Sequence, residues 1–349
     1  MIHRWKKPRG LGLVGSIREY VTLVRPYGIL FLGFTPVFGA VCNGEFRAFH
    51  LSVLLMIGLF THVFAFVQND YYDVEVDRRS TYVAGRPLTT GNISKHHAFL
   101  VFVGSFLLCV VFAVVFVFSW ASFLFLLLSF FLMTLYNKYS KRIPGMECVL
   151  GAGVFVFGVF GALTVSDTVS PLSLIISFVG FFQWMFSVGV LANLKDVEFD
   201  AKLGIRTTPI MFGVHVRGHE LKKPVVFIVH VYVMQFLFIM VAALPFLFGY
   251  TLVSVLGVPI PLLCFLVLSV ILLYITYRIL SAPLQKRDTL LRYEGVHEGL
   301  ALVLIPIVLT NFLIEHLGIL STLGIIFLML FWPLCCLRLL YGKTMIPLE

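Results

Sequence analysis

Ten apolar stretches, at 22–42, 51–68, 98–118, 120–136, 148–165, 171–193, 224–246, 253–277, 299–314 and 317–337, leave this chain few ways to fold. Most reach or approach the roughly 20 residues that carry a helix across a bilayer. A soluble domain would not give 60% of its residues to hydrophobic types and only 12% to charged ones. The expected fold class is therefore all-α, a polytopic transmembrane helical bundle of nine or ten helices. The first stretch follows Trp5-Lys6-Lys7-Pro8-Arg9 and keeps Arg25 and Pro26 near its start. With no small-residue cleavage site after a short apolar core, it reads as a retained helix and not as a signal peptide.

Charge placement orients the bundle. When connections are taken alternately from the N-terminus, every one of the 26 Lys and Arg residues except Arg47 falls on one side. Lys and Arg concentrate on the cytoplasmic side of membrane proteins, so the N-terminus and the loops after the second, fourth and sixth stretches are expected in the cytoplasm. The net charge of +9 then reflects topology and attraction to anionic membrane lipid, not nucleic-acid binding. If 299–337 held one broken helix and a partial one, nine crossings would result. The expected organisation is a basic N-terminus over 1–21, a single transmembrane domain over 22–340 and a tail over 341–349. Within the domain, two pseudo-repeated four-helix halves, about 22–147 and 148–280, are followed by C-terminal helices in 299–340. The six cysteines are scattered without CxxC spacing, which indicates neither a zinc site nor a disulfide framework.

Against this background two acidic clusters stand out. Asn69-Asp70-Tyr71-Tyr72-Asp73-Val74-Glu75-Val76-Asp77 and Asn193-Leu194-Lys195-Asp196-Val197-Glu198-Phe199-Asp200 hold seven of the 17 acidic residues. On a helix, positions i, i+3 and i+7 fall within about 60° of one face, so Asp70, Asp73 and Asp77 are expected to project together. Asn193, Asp196 and Asp200 repeat that spacing. Carboxylates crowded at the edge of a low-dielectric medium repel unless a cation sits among them, and hard oxygen ligands suit Mg²⁺ shared with phosphate groups. Glu75 and Glu198 fall off the face by helical phase and read as solvated. A lone His62 two turns earlier reads as a packing residue, and residues 280–298, with His297 and Glu298, are expected to shape a lid.

The clusters and their flanks resemble the UbiA superfamily of intramembrane prenyltransferases. Asn69-Asp70-x-x-Asp73-x-x-x-Asp77 is similar to the first signature of that family and Asp196-x-x-x-Asp200 to the second. Arg86-Pro87-Leu88 with Gly91, Ile93 and Ser94, Leu135-Tyr136 with Lys141-Arg142, and Gly204-x-x-Thr207-x-Pro209 match the flanking elements in order. The resemblance implies a cavity open to the cytoplasm and to lipid, and Mg²⁺-dependent transfer of a polyprenyl group from an isoprenyl diphosphate to an aromatic or other lipophilic acceptor. Asp70, Asp73 and Asp77 would hold one of two Mg²⁺ ions, and Asp196 and Asp200 the other. Asn69, Arg86, Tyr136, Lys141, Arg142 and Asn193 would bind the diphosphate. Two further readings remain, a CDP-alcohol phosphatidyltransferase and an ion-coupled transporter. The first lacks its continuous DGxxAR…GxxxDxxxD signature, since Val74 and not Gly follows Asp73, and against the second the acids flank basic loops and not midplane helix breaks.

Overall fold

A computed structural model describes residues 13–80, 83–218, 220–250, 259–283 and 287–341. The basic residues expected at Arg4, Lys6, Lys7, Arg9, Lys286 and Lys343, most of the tail and the first residues of the 253–277 stretch lie outside them. In lipid every backbone N–H and C=O must be paired within its own segment, so apolar runs of this length become helices. They do so in the order α1 (Leu13–Val24), α2 (Ile29–Gly33), α3 (Thr35–Cys42), α4 (Ala48–Asp77), α5 (Pro87–Thr90), α6 (Lys95–Phe116), α7 (Trp120–Tyr139), α8 (Glu147–Leu163) and α9 (Pro171–Phe186). A six-residue π-helical segment, Ser187–Ala192, leads into α10 (Asn193–Lys202). After α11 (Thr208–Met211) and a hairpin of β1 (His215–Arg217) and β2 (Glu220–Lys222) come α12 (Val225–Leu247), α13 (Ile260–Ser281), α14 (Arg287–Val308), α15 (Thr310–Leu317) and α16 (Ile319–Tyr341).

Among the described residues, each of the ten apolar stretches is mostly helical. Among the described residues, eight helical spans are long and apolar enough to cross a bilayer, and the pair Thr289–Val308 and Thr310–Leu317, bent by 56°, makes a ninth when counted as one. The 148–165 stretch is the shorter α8, 17 residues long. Hydroxyl caps fix where several helices begin: Ser94 accepts from the His97 N–H, and Ser119 and Ser122 cap α7 reciprocally. Val115, Phe131 and Val229 are exposed on the outside of the bundle, an apolar surface suited to lipid.

Inside a membrane, water does not drive helices together, so close backbone approach must do more of the work. A Cβ on Gly39 of α3 would stand 2.0 Å from the Gly158 carbonyl oxygen of α8, and one on Gly161 would stand 2.0 Å from that of Pro36. Ser173 Oγ donates to the Gly39 carbonyl at 2.8 Å. Likewise Gly58 of α4 meets the Gly33 backbone. These seams set how α4 is rotated about its own axis, and that rotation decides which acidic residues face inward.

Residues 287–298 form a packed helix and not a lid. His297 is fully buried, its Nε2–H donates to Gln235 Oε1 at 2.8 Å, and its ring stacks on Phe186 with centroids 4.6 Å apart. The mostly apolar α14 packs against α13, α16, α12 and α9.

Packing of this kind makes a direct prediction. Gly161→Val should lower the thermal unfolding temperature of the detergent-solubilised protein, since overpacking costs about 1–3 kcal/mol. Gly104→Val, where a Cβ meets no heavy atom within 4 Å, should leave it unchanged.

Candidate active site

Helix α4 runs for 30 residues and ends on Asp77, so its last two turns carry the first acidic cluster. The π segment ends where the second begins, and Asn193, Asp196 and Asp200 then share one face of a regular α-helix. Between α4 and α10 lies a cavity of about 200 Å³, lined by Asn69, Asp73 and Asp77 from one helix and Asn193, Asp196 and Asp200 from the other. Tyr136 and Lys141 close it from the end of α7 and the turn that follows.

The inward face of α4 is Asn69, Asp73 and Asp77, with Asn69 Nδ2 donating to Asp73 Oδ2 at 3.3 Å. Asp70 belongs to the acidic cluster but not to the cavity wall. It is buried to one side, where Arg25 pairs with its Oδ1 and Arg86 Nη1 reaches the same oxygen at 3.2 Å. Arg86 also bonds Asp77 Oδ2 at 2.8 Å and thus bridges two acids two turns apart. The Arg86-Pro87-Leu88 motif explains its placement. Arg86 caps α5, Pro87 fills its first turn, Gly91 ends it at φ 80°, and the Ile93 N–H returns to the Pro87 carbonyl at 3.1 Å before Ser94 starts α6.

Arg25 gave no catalytic signal in the sequence beyond being a charge at the start of an apolar run. It adopts a left-handed backbone, φ 52°, rare for a residue with a side chain. His62 holds that turn: its Nε2–H faces the Val24 and Arg25 carbonyl oxygens at 3.0 and 3.2 Å, while its ring packs against Phe66. The packing role read for His62 therefore has a specific object, the loop that presents Arg25. Glu75 and Glu198 pair with Arg78 and Lys202 away from the cavity, as helical phase required.

Lys141 is the cation both acidic helices see. Its Nζ lies 3.8 Å from Asp200 Oδ1. Burial works against its ammonium, but Asp200, Asp73, Asp196 and Asp77 outweigh that and hold its pKa above the ordinary lysine value. Arg142, expected beside it, is exposed and absent from the cavity wall, its N–H closing a turn onto the Tyr139 carbonyl at 2.8 Å. Consecutive residues of a tight turn point apart, and only Lys141 points in.

Three lining residues escaped the sequence reading. Lys195 bridges to Glu294 of α14 at 3.4 Å. Trp184 faces the cavity from the last turn of α9. Glu147, buried at the start of α8, accepts a hydrogen bond from the Thr208 hydroxyl. A lone acid opening an apolar stretch was the available signal for Glu147.

The wall suits a divalent cation with phosphate. Asp73, Asp77, Glu147, Asp196 and Asp200 face Arg25, Arg86, Lys141 and Lys195 across it. Counting Asp70 and Glu294 behind them gives seven carboxylates against four cations, an excess of three negative charges. Both Asp200 carboxylate oxygens and the Thr207 hydroxyl are buried without a hydrogen-bond partner, which is costly unless a ligand completes them. Among the described residues no three His, Cys, Asp or Glu side chains stand close enough to hold a metal ion alone. An ion here would share its ligand shell with phosphate oxygens or water, the usual habit of Mg²⁺.

Comparison with known proteins bears on the family and the fold. The model of the UbiA prenyltransferase family matches residues 30–292. The digeranylgeranylglyceryl phosphate synthase of Pyrococcus horikoshii is 26% identical over 202 residues, 56% of this chain and 69% of that protein. The 4-hydroxybenzoate octaprenyltransferase of Legionella pneumophila is 28% identical over 200 residues, 56% of this chain and 70% of that one. In fold, the chain resembles a UbiA homologue from Archaeoglobus fulgidus bound to DMAPP and Mg²⁺, with a TM-score of 0.55 at 19% identity over 82% of this chain and 99% of the other. A UbiA homologue from Aeropyrum pernix K1 gives a TM-score of 0.59 at 16% identity, over 82% and 97%.

The shared Asp70 pairing predicts coupling. Arg25→Gln alone and Asp70→Asn alone should each destabilise the protein in detergent, and the double substitution should cost less than their sum by about 1 kcal/mol or more, as contacting residues do. Strict additivity in unfolding measurements would show that the pair contributes nothing.

Proposed function

The chain belongs to the UbiA prenyltransferase family, and from that premise we propose that it transfers a polyprenyl group from an isoprenyl diphosphate to an aromatic or other lipophilic acceptor, with two Mg²⁺ ions, releasing diphosphate. The observation that carries this reading is the cavity where Asp73 and Asp77 face Asp196 and Asp200, with Lys141 set between the helices at ion-pair distance from Asp200 and, among the described residues, no hydrogen bond completing the Asp200 oxygens. The names of the P. horikoshii and L. pneumophila relatives support a quinone-type or ether-lipid-type acceptor. The DMAPP and Mg²⁺ bound to the A. fulgidus homologue support the donor and the metal.

Each side chain then has a role. Asp73 and Asp77 on one helix and Asp196 and Asp200 on the other would hold the ions, with Asn69 and Asn193 as neutral ligands or orienting groups. Bound Mg²⁺ would supply charge neutralisation at the diphosphate oxygens as the allylic C–O bond breaks. Asp70 acts through its partners, keeping Arg25 and Arg86 extended toward the diphosphate. Lys141, Arg86 and Arg25 stabilise the leaving group's growing charge, the kind of contact worth about 2.7–4 kcal/mol in a transition state. The Tyr136 ring faces the cavity where positive charge develops on the allylic carbon. Leu32, Phe66, Leu150 and Trp184 exclude water from that carbon and lead the prenyl tail toward lipid. We place the acidic helix ends and the N-terminus in the cytoplasm on the Lys and Arg distribution.

Two experiments test these assignments. In membranes supplied with prenyl diphosphate and acceptor, chelation should abolish diphosphate release and Mg²⁺ restore it. Asp73→Asn and Asp196→Asn should each lower kcat/KM by at least about 100-fold, Lys141→Gln by a similar factor, and Arg142→Gln by less than about threefold. Wild-type rates in either aspartate variant would remove the metal assignment. Reporters fused after Lys95 and Lys223 should read cytoplasmic and one after Asp167 should read external; a cytoplasmic signal at Asp167 would reverse the topology.

A further inference from the structure

Glu147 is a lining carboxylate to which the proposed metal and diphosphate contacts assign no role. It lies at the boundary of the cavity. One turn along α8, Leu150 lines the apolar part, and Trp184 and Val188 line it from the α9 side. The π segment packs directly on Glu147: a Cβ on Gly189 would come within 2.9 Å of its Cγ and 3.1 Å of Oε1. Its side chain is 7% exposed. Among the described residues it makes no ion pair, and its one hydrogen-bond partner is the hydroxyl of Thr208. Each lining cation is committed elsewhere: Arg25 and Arg86 to Asp70, Arg86 also to Asp77, Lys141 to Asp200, and Lys195 to Glu294. Chemically, then, the cavity wall offers an aromatic ring, Trp184, and a carboxylate, Glu147, that no lining cation pairs with.

We propose that Glu147 determines acceptor specificity, taking a hydrogen bond from a hydroxyl on an uncharged aromatic acceptor and excluding aromatic carboxylic acids. The deduction is electrostatic. A carboxylate brought beside Glu147 meets like charge, and the cations that line the same cavity are already paired with other carboxylates. A phenol or hydroquinone hydroxyl instead supplies the donor that a carboxylate accepts. On this reading Glu147 selects the acceptor, and the departure of diphosphate is left to the acids of α4 and α10. This inference rests on the prenyl-transfer reading and narrows its acceptor class.

Binding, measured apart from turnover, tests it. The full-length protein in lipid nanodiscs is saturated with Mg²⁺ and geranyl thiolodiphosphate, a non-reacting donor, and titrated with 4-hydroxybenzoate or its methyl ester, which differ mainly in charge. The wild type should bind the ester at least about tenfold more tightly, the size expected for one like-charge repulsion across a low-dielectric site. Glu147→Gln keeps an oxygen for Thr208 and should retain ester affinity while bringing the ratio of the two near one. A merely structural role would lower both affinities together and leave the ratio unmoved. Tighter or equal binding of the acid by the wild type, a ratio unaffected by Glu147→Gln, or binding of neither probe with the thiolodiphosphate bound would overturn the proposal. Should Glu147→Gln fail to fold, Glu147→Ser, which keeps a hydroxyl for Thr208, is expected to move the ratio in the same way, and an unmoved ratio there would overturn the proposal equally. Failure of the thiolodiphosphate itself to bind would overturn the prenyl-transfer reading, and the proposal with it.

Discussion

Carboxylates facing one another in a low-dielectric surround are the constraint on which this molecule turns. Asp73 and Asp77 at the end of α4 look across a small cavity at Asp196 and Asp200 of α10, and like charges at such range are tolerated only if cations are interposed. The protein supplies some of these and stops short of neutrality. Arg86 spans Asp70 and Asp77, Arg25 takes the remaining side of Asp70, and Lys141 stands between the two helices. The uncompensated remainder, beside Asp200 oxygens that accept no hydrogen bond among the described residues, suits a divalent cation that brings phosphate oxygens with it.

Holding such a site in place falls to packing that carries no charge at all. The seam of Gly39, Gly158 and Gly161 lets α3 and α8 touch backbone to backbone, and Gly58 does the same for α4 against Gly33. Because packing sets the rotation of each helix, it also sets the electrostatics at its end. The π segment Ser187–Ala192 makes the same connection on the other side, shifting the phase of the last turns so that Asn193, Asp196 and Asp200 face inward while Gly189 leaves room for Glu147. His62 links the two levels, spending its ring on packing and its Nε2–H on the turn that presents Arg25.

Much of the plan was legible in the sequence because it is local. Apolar runs of bilayer length become helices wherever they occur, since lipid offers no partner for backbone groups, so the described parts of all ten stretches are mostly helical and the membrane class followed from composition. The spacing Asn193, Asp196, Asp200 fixed a shared face for the same reason, helical periodicity being a property of the segment itself. The turn chemistry around Arg86, Pro87, Gly91 and Ser94 was likewise written in residue types whose backbone preferences are intrinsic.

What only the tertiary structure decided involves rotation and distance. One residue along a helix is about 100° of rotation, so whether Asn69 or Asp70 turned inward depended on how α4 seats against its neighbours, and Asp70 became the anchor of two arginines. Lys141 points in and the adjacent Arg142 out because a turn separates them. Arg25 meets Asp70, and Glu147 meets Thr208, across separations that no local pattern encodes. The family resemblance and the helices come from sequence because each is carried by contiguous residues. The division of labour among the charges comes from the fold, because a charge takes its role from the neighbours that packing brings to it.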